Sequence, residues 1–140
     1  MALPTQLQLQ IVSADRLLVS EQVDEVEVPG ADGYFGVLPG HTPLLAALGA
    51  GELWYRDGQE KKYLAIFYGF AEVQPDRVTI LARTAESANA IDVARAEEAR
   101  KRAQERMARP TVDMDAERAR IALMKALIRL QVASRVKIRS

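Results

Sequence analysis

Tyr34-Phe35-Gly36-Val37-Leu38-Pro39-Gly40-His41-Thr42-Pro43-Leu44-Leu45-Ala46-Ala47-Leu48 holds two apolar runs separated by a corner. Pro39 fixes φ and carries no N–H, and Gly40 admits positive φ, so the chain can turn here without stranding a backbone donor. Pro43 then disfavours helix at Thr42. Both flanking runs therefore read as core segments, Tyr34–Leu38 as a short strand. His41, the only histidine of the chain, stands at the tip of the bend. No motif brings a Ser or Cys to it, so it reads as a corner residue rather than a catalytic base.

Outward from the corner, towards the N-terminus, the hydrophobic period is two. Leu7, Leu9 and Ile11 alternate with Gln8 and Gln10, and Val23, Val26 and Val28 alternate with Asp24, Glu25 and Glu27; each set reads as a half-buried strand. Pro29-Gly30-Ala31-Asp32-Gly33 and Gly49-Ala50-Gly51 read as loops. Asp57-Gly58 predicts a hairpin between Leu53-Trp54-Tyr55 and Tyr63-Leu64-Ala65-Ile66, and Pro75-Asp76 a second between Ala71-Glu72-Val73 and Val78-Thr79-Ile80-Leu81. On an alternating strand, one ring of Trp54 and Tyr55 points inward and the other outward. Many short strands at this spacing predict an antiparallel sandwich or barrel.

From Glu86 the period lengthens. Asp92 can cap a helix starting at Val93, along which Ala96, Ala99, Ala103 and Met107 form a thin apolar stripe. Opposite charges four residues apart, Glu97 with Lys101 and Glu98 with Arg102, predict ion pairs on its outer faces. Pro110 ends this helix. The acids of Asp113-Met114-Asp115-Ala116-Glu117 suit the positive end of a second helix reaching about Val136. In that helix Arg118, Lys125 and Arg129 fall within about 40° of one another at 100° per residue. Leu123, Leu127 and Leu130 occupy one apolar face, and Ile121, Met124 and Ile128 another. The two helices make a hairpin, so the chain reads as α+β: an N-terminal antiparallel β-sandwich over residues 1–86 and a C-terminal antiparallel α-helical hairpin over 87–140.

The net charge of zero hides a division. Residues 1–86 hold 6 basic and 12 acidic side chains, a net of −6, and residues 87–140 hold 13 and 7, a net of +6. The basic half suits a polyanion or an acidic protein surface. A nucleic-acid-binding hairpin is one reading of it. That reading is opposed by the absence of aromatic residues after Glu86 and by the acidic first half. There is no cysteine, hence no disulfide framework or thiolate metal site. Signal-peptide and membrane-span patterns are absent from the sequence, and so are phosphate-loop, dinucleotide, H-E-x-x-H and calcium-loop motifs. A small enzyme centred on His41 finds no supporting constellation.

The order G-Y-F-G-V-L-P-G-H-T-P-L-L, preceded by V-E-V-P-G-A-D-G and followed by G-A-G-E-L, then AEVQPDRVTILA (Ala71–Ala82) and IDVARA (Ile91–Ala96), resembles the epsilon-subunit family of bacterial F-type ATP synthases. The resemblance spans nearly the whole chain. It implies a flattened sandwich, and a hairpin that either folds against it or extends along a central stalk. It implies a non-catalytic rotor subunit that meets the gamma subunit and the c-ring, reaches the alpha and beta catalytic subunits in an inhibited state, binds no nucleic acid, and sits peripherally on the cytoplasmic side of the bacterial inner membrane through the complex alone. No cofactor is required and no metal is implied. ATP is implied as a regulatory ligand, because I-D-x-x-R-A is the family's nucleotide motif; matching positions are Glu86, Ile91, Asp92, Arg95, Ala96, Arg102, Lys125 and Arg129. At position 125 the ATP-binding pattern has Arg, so Lys125 keeps the charge and loses the planar fork. Asp32 and His41 match positions facing the ring. Where the family reads close to Ser-Gly-Gly, this chain has Phe67-Tyr68-Gly69, which predicts repacking around Tyr68.

Overall fold

A computed structural model of the chain describes residues 3–109, 111 and 115–137. They fall into two compact units, Met1–Ser87 and Ala88–Ser140. In the first, period-two runs form seven strands: β1 (Leu7–Ser13), β2 (Arg16–Val23), β3 (Glu25–Gly30), β4 (Gly33–Val37), β5 (Leu44–Asp57), β6 (Glu60–Gln74) and β7 (Arg77–Ser87). Their order in the sheet is β2-β1-β7-β6-β5-β3-β4. Every pairing is antiparallel except β1 with β7, which is parallel. Leu7, Leu9, Ile11, Val26, Val28, Val37, Leu53, Tyr55, Leu64, Ile66 and Ile80 meet in one core cluster. Removing that apolar area from water is the main stabilising term of this unit.

Three expectations are corrected here. Gly49-Ala50-Gly51 is not a loop but the middle of β5. The glycines are there because other groups crowd the strand: a Cβ on Gly51 would land on the Tyr34 hydroxyl and lie 3.0 Å from Pro29 Cβ, and one on Gly49 would lie 3.2 Å from Gly30 O. The Val23–Val28 run is not one strand, since β2 ends at Val23 and β3 begins at Glu25. Asp24 between them is tied by its carboxylate to the far hairpin. Pro29-Gly30 belongs to β3, where the β3–β5 register shifts between Glu27 and Gly30. Proline is tolerated at such an irregularity because no ladder donor is needed there.

The long strands bend at one place. Pairing of β6 with β5 and β7 skips Tyr68, together with Gly49 and Arg83 opposite it. Tyr68 has φ +64°, the only non-glycine residue with positive φ among those described, and Gly69 follows at +127°. This is the site of the Phe67-Tyr68-Gly69 departure. The backbone there adopts a conformation natural to glycine, and Tyr68 holds it at a cost of about 1–2 kcal/mol.

In the second unit a 3-10 turn, Ala88–Ala90, leads to α1 (Val93–Ala108) and α2 (Ala116–Lys137). Asp92 caps α1, its Oδ1 accepting the Arg95 N–H at 3.1 Å, and Asp115 Oδ1 accepts the Arg118 N–H at 3.1 Å at the start of α2. The helices pack through alanine: Ala96 and Ala103 are buried on α1, and Ala119, Ala126 and Ala133, with Val132, on α2. Spacing of seven on both helices makes a narrow seam across which small side chains let the backbones approach closely. Met107, expected on the stripe, is exposed, as are Ile121 and Leu127; the seam follows small side chains rather than large ones. The expected Glu97–Lys101 and Glu98–Arg102 pairs are absent. Glu97 instead pairs with Arg100 one turn on, and Glu117 with Arg120. The guanidinium of Arg100 also donates to Gln104 at 2.8 Å, which holds it on that side. Pro110, Asp113 and Met114 lie outside the described residues.

Candidate functional site

An electrostatic cluster of the sandwich lies at its β5–β6 turn. Arg56 Nε donates to Glu25 Oε1 at 2.7 Å, and its Nη1 donates to Gly58 O at 2.8 Å and to Asp24 Oδ2 at 3.4 Å. Asp24 Oδ2 accepts the Gly58 N–H at 2.7 Å, and its Oδ1 accepts from Gln6 at 3.3 Å. The Gly58 amide, then Gln6, then the Arg56 charge hold the Asp24 carboxyl below its usual value, and Glu25 with Asp24 hold Arg56 above its own. Burial, then the bond from its hydroxyl to Glu21 Oε2 at 2.9 Å, raises Tyr55. Every group here is engaged in joining the β2–β3 break to the hairpin turn. The cluster is a structural clamp with no reactive group left over. Trp54, the outward ring, lies under Lys61, whose Nζ is 4.1 Å from its centroid. Among the described residues no three His, Asp or Glu side chains are grouped as a metal site.

His41 sits at the Pro39-Gly40 corner, where Gly40 takes φ +88° and donates its N–H to Pro75 O at 2.7 Å. Its Nδ1 is 2.6 Å from Thr42 O. Asp32 is exposed in the β3–β4 turn. The two flank opposite ends of β4, about 17 Å of strand, so they are not one cluster.

The candidate anion-binding residues divide. Glu86 is on β7, paired in register with Ala65, and belongs to the sandwich. In the hairpin unit Ile91 and Ala96 are buried, so they pack; Asp92 spends one oxygen on the cap. Arg95 and Arg102 are exposed on α1, and Lys125 and Arg129 are half-buried on α2. At 100° per residue, Arg95 and Arg102 lie about 80–120° from the Ala96/Ala103 seam, and Lys125 and Arg129 lie about 60–120° from Ala119/Ala126 in the same sense. Because the helices run antiparallel, the same offset places both sets on one side of the hairpin. Four cations thus share a face.

A second surface was not anticipated. Leu17 pairs with Val12, Val12 with Leu81, Leu81 with Phe70 and Phe70 with Ala47. Directly paired residues share a face, so these five form one apolar row across five strands, and Leu45, two residues from Ala47 on β5, stands on the same face beside it. Leu17 is 55 % exposed, Leu81 50 %, Phe70 57 % and Leu45 72 %. The neighbouring row, Ser20, Gln10, Thr79 and Glu72, is polar until it ends on β5 at Leu45. A rimmed apolar stripe of this kind marks an interaction surface. Its sequence signal is the unbroken runs Leu44–Leu48 and Ile80-Leu81-Ala82, apolar on both faces of a strand although only one face meets the core.

Residues 6–88 match the family described as ATP synthase, Delta/Epsilon chain, beta-sandwich domain, and residues 89–134 match its long alpha-helix domain. The ATP synthase epsilon chain of Syntrophobacter fumaroxidans is 49 % identical over 129 residues, covering 92 % of this chain and 96 % of that one. The epsilon chain of Herpetosiphon aurantiacus is 51 % identical over 128 residues, covering 91 % and 93 %. In fold, the chain is similar to a chain of the Euglena gracilis mitochondrial ATP synthase, with a TM-score of 0.71 at 23 % identity over 99 % of this chain and 84 % of that one.

Proposed function

The chain belongs to the ATP synthase delta/epsilon family, and on that premise we propose that it is the non-catalytic central-stalk subunit of a proton-translocating F-type enzyme, coupling the catalytic head to the membrane ring and restraining ATP hydrolysis through its hairpin. The observation that carries this reading is the apolar row Leu17–Val12–Leu81–Phe70–Ala47, a docking surface built on a rigid sheet. The gamma subunit is the partner that the family supplies for it, with Asp32 and His41 turned to the c-ring. The cationic side of the hairpin supplies a restraint: Arg95, Arg102, Lys125 and Arg129 favour an acidic surface on the alpha/beta head. ATP bound by the same cations shifts the hairpin away from that contact, by no more than its differential affinity for the two states. Among the described residues no helix is long and apolar enough to cross a membrane; the attachment proposed for the chain is peripheral, through the complex, at the cytoplasmic face.

The test is ATP hydrolysis by a catalytic complex lacking this subunit, with the full chain or a version ending at Ser87 added back. The expected result is that both bind and only the full chain inhibits. Binding of neither removes the proposal, and equal inhibition by both removes the role of the hairpin.

A further inference from the structure

The cationic side of the hairpin is longer than the four positions above. Arg106 continues the Arg95–Arg102 line of α1, and Arg118 that of α2, so each helix carries cations at intervals of seven and four, all within about 40° of one another. Counting back equally from the connection between the helices, Arg106 lies level with Arg118 and Arg95 with Arg129, with Arg102 and Lys125 between. Two rows about 16 Å long therefore run side by side, a helix spacing of about 8–10 Å apart. Arg95, Arg102, Arg106, Arg118 and Lys125 make no ion pair among the described residues, while Arg100 and Arg120, on other faces, are paired.

What lies between the rows limits the ligand. Ala99 and Ala122, both half-buried, form a floor with no pocket for an apolar side chain. Residues 87–140 contain no aromatic ring, so nothing can stack a base. Five guanidinium forks and one ammonium suit phosphate oxygens. From these features we infer that the face binds a linear inorganic polyphosphate chain, laid along the groove between α1 and α2, with Arg106 and Arg118 holding the part that a triphosphate is too short to reach. This site does not depend on assembly with any partner.

The test is titration calorimetry on the full chain with long-chain inorganic polyphosphate, with tripolyphosphate, and with single-stranded DNA of matched charge. Long-chain polyphosphate is expected to bind at least about tenfold tighter than either. Arg106→Ala/Arg118→Ala is expected to abolish that advantage while leaving tripolyphosphate affinity unchanged, and to lower the slope of log affinity against log salt by roughly 1.4, at about 0.7 for each phosphate of a single strand that is no longer neutralised. Lys101→Ala/Arg120→Ala removes the same charge from other faces and is expected to leave binding intact. Both double variants place alanine on exposed helix positions, which favours the helix. Equal affinity for long and short chains, equal affinity for DNA, or equal weakening in the two double variants would each overturn the inference.

Discussion

Asp24 shows how much of the sandwich is fixed by one side chain. It ends β2, bonds the Gly58 amide and faces Arg56, and its carboxyl titrates below the 3.8 of a free aspartate. A folded-state value lower than the unfolded one contributes stability above the unfolded value, and that contribution is lost as pH falls through the folded one. Asp24→Asn is therefore expected to lower the urea midpoint at neutral pH and to flatten its decline on acidification, so that the two proteins converge in acid; parallel curves would refute the linkage. Tyr68 and Gly69 form a second single-residue constraint. A Cβ on Gly69 would land on Leu81 O at φ +127°, so Gly69→Ala is expected to cost about 2–3 kcal/mol in urea unfolding. Tyr68→Val, placing a branched side chain at positive φ, is expected to cost about 1–2 kcal/mol. In sequence, Gly58 announced its turn because Asp57-Gly58 is a local signal. The positive φ at Tyr68 was not legible from its own side chain; only the glycine of the related pattern marked it, since a bend in a long strand is set by the pairing of β5 and β7 around it.

Elements were legible where one face meets the core and the other does not. Leu7-Leu9-Ile11 gave β1 directly, and Asp92 gave the start of α1. β2 was silent because Leu17-Leu18-Val19 followed by Ser20-Glu21-Gln22 keeps no clean alternation; Leu17 belongs to the outer apolar row and Val19 to the core. Helix packing was half legible. The alanines at 96 and 103 marked the seam on α1, but on α2 the larger Leu and Ile side chains masked Ala119, Ala126 and Ala133. Close approach follows the smallest residues, so mass is a poor guide to the buried side. Ala126→Leu is expected to destabilise the hairpin unit by about 1–3 kcal/mol, because the added atoms have nowhere to go. Leu127→Ala, one residue on and exposed, is expected to change it by less than about 0.5 kcal/mol. Far-UV circular dichroism melts of both variants make the comparison, and a reversed order would mean that the seam is not the alanine stripe.

For the whole molecule the division of charge was plain in the sequence, −6 in residues 1–86 and +6 beyond, and so was the gathering of Arg118, Lys125 and Arg129 on one side of α2. That Arg95 and Arg102 share that side was legible only on the condition that the hairpin closes antiparallel, because it depends on which face of α1 the seam consumes. The apolar row was least legible of all, since Leu17, Val12, Leu81, Phe70 and Ala47 come from five strands and only register unites them. Its exposure is costly in an isolated chain, where about 25 cal/mol per Å² of apolar area stays in water; a partner that covers it recovers that energy. Phe70 is the largest side chain of the row, flanked in register by Leu81 and Ala47. Phe70→Glu is therefore expected to leave folding stability within about 0.5 kcal/mol, as at an ordinary surface position, yet to weaken association with the catalytic complex by tenfold or more, about 1.4 kcal/mol or above. Glu72→Lys, in the polar row beside it, is expected to alter the salt dependence of association more than its strength. Sedimentation of each variant with the subunit-depleted complex separates these effects. Full binding by Phe70→Glu would move the docking surface elsewhere on the sandwich, leaving the row to some other partner.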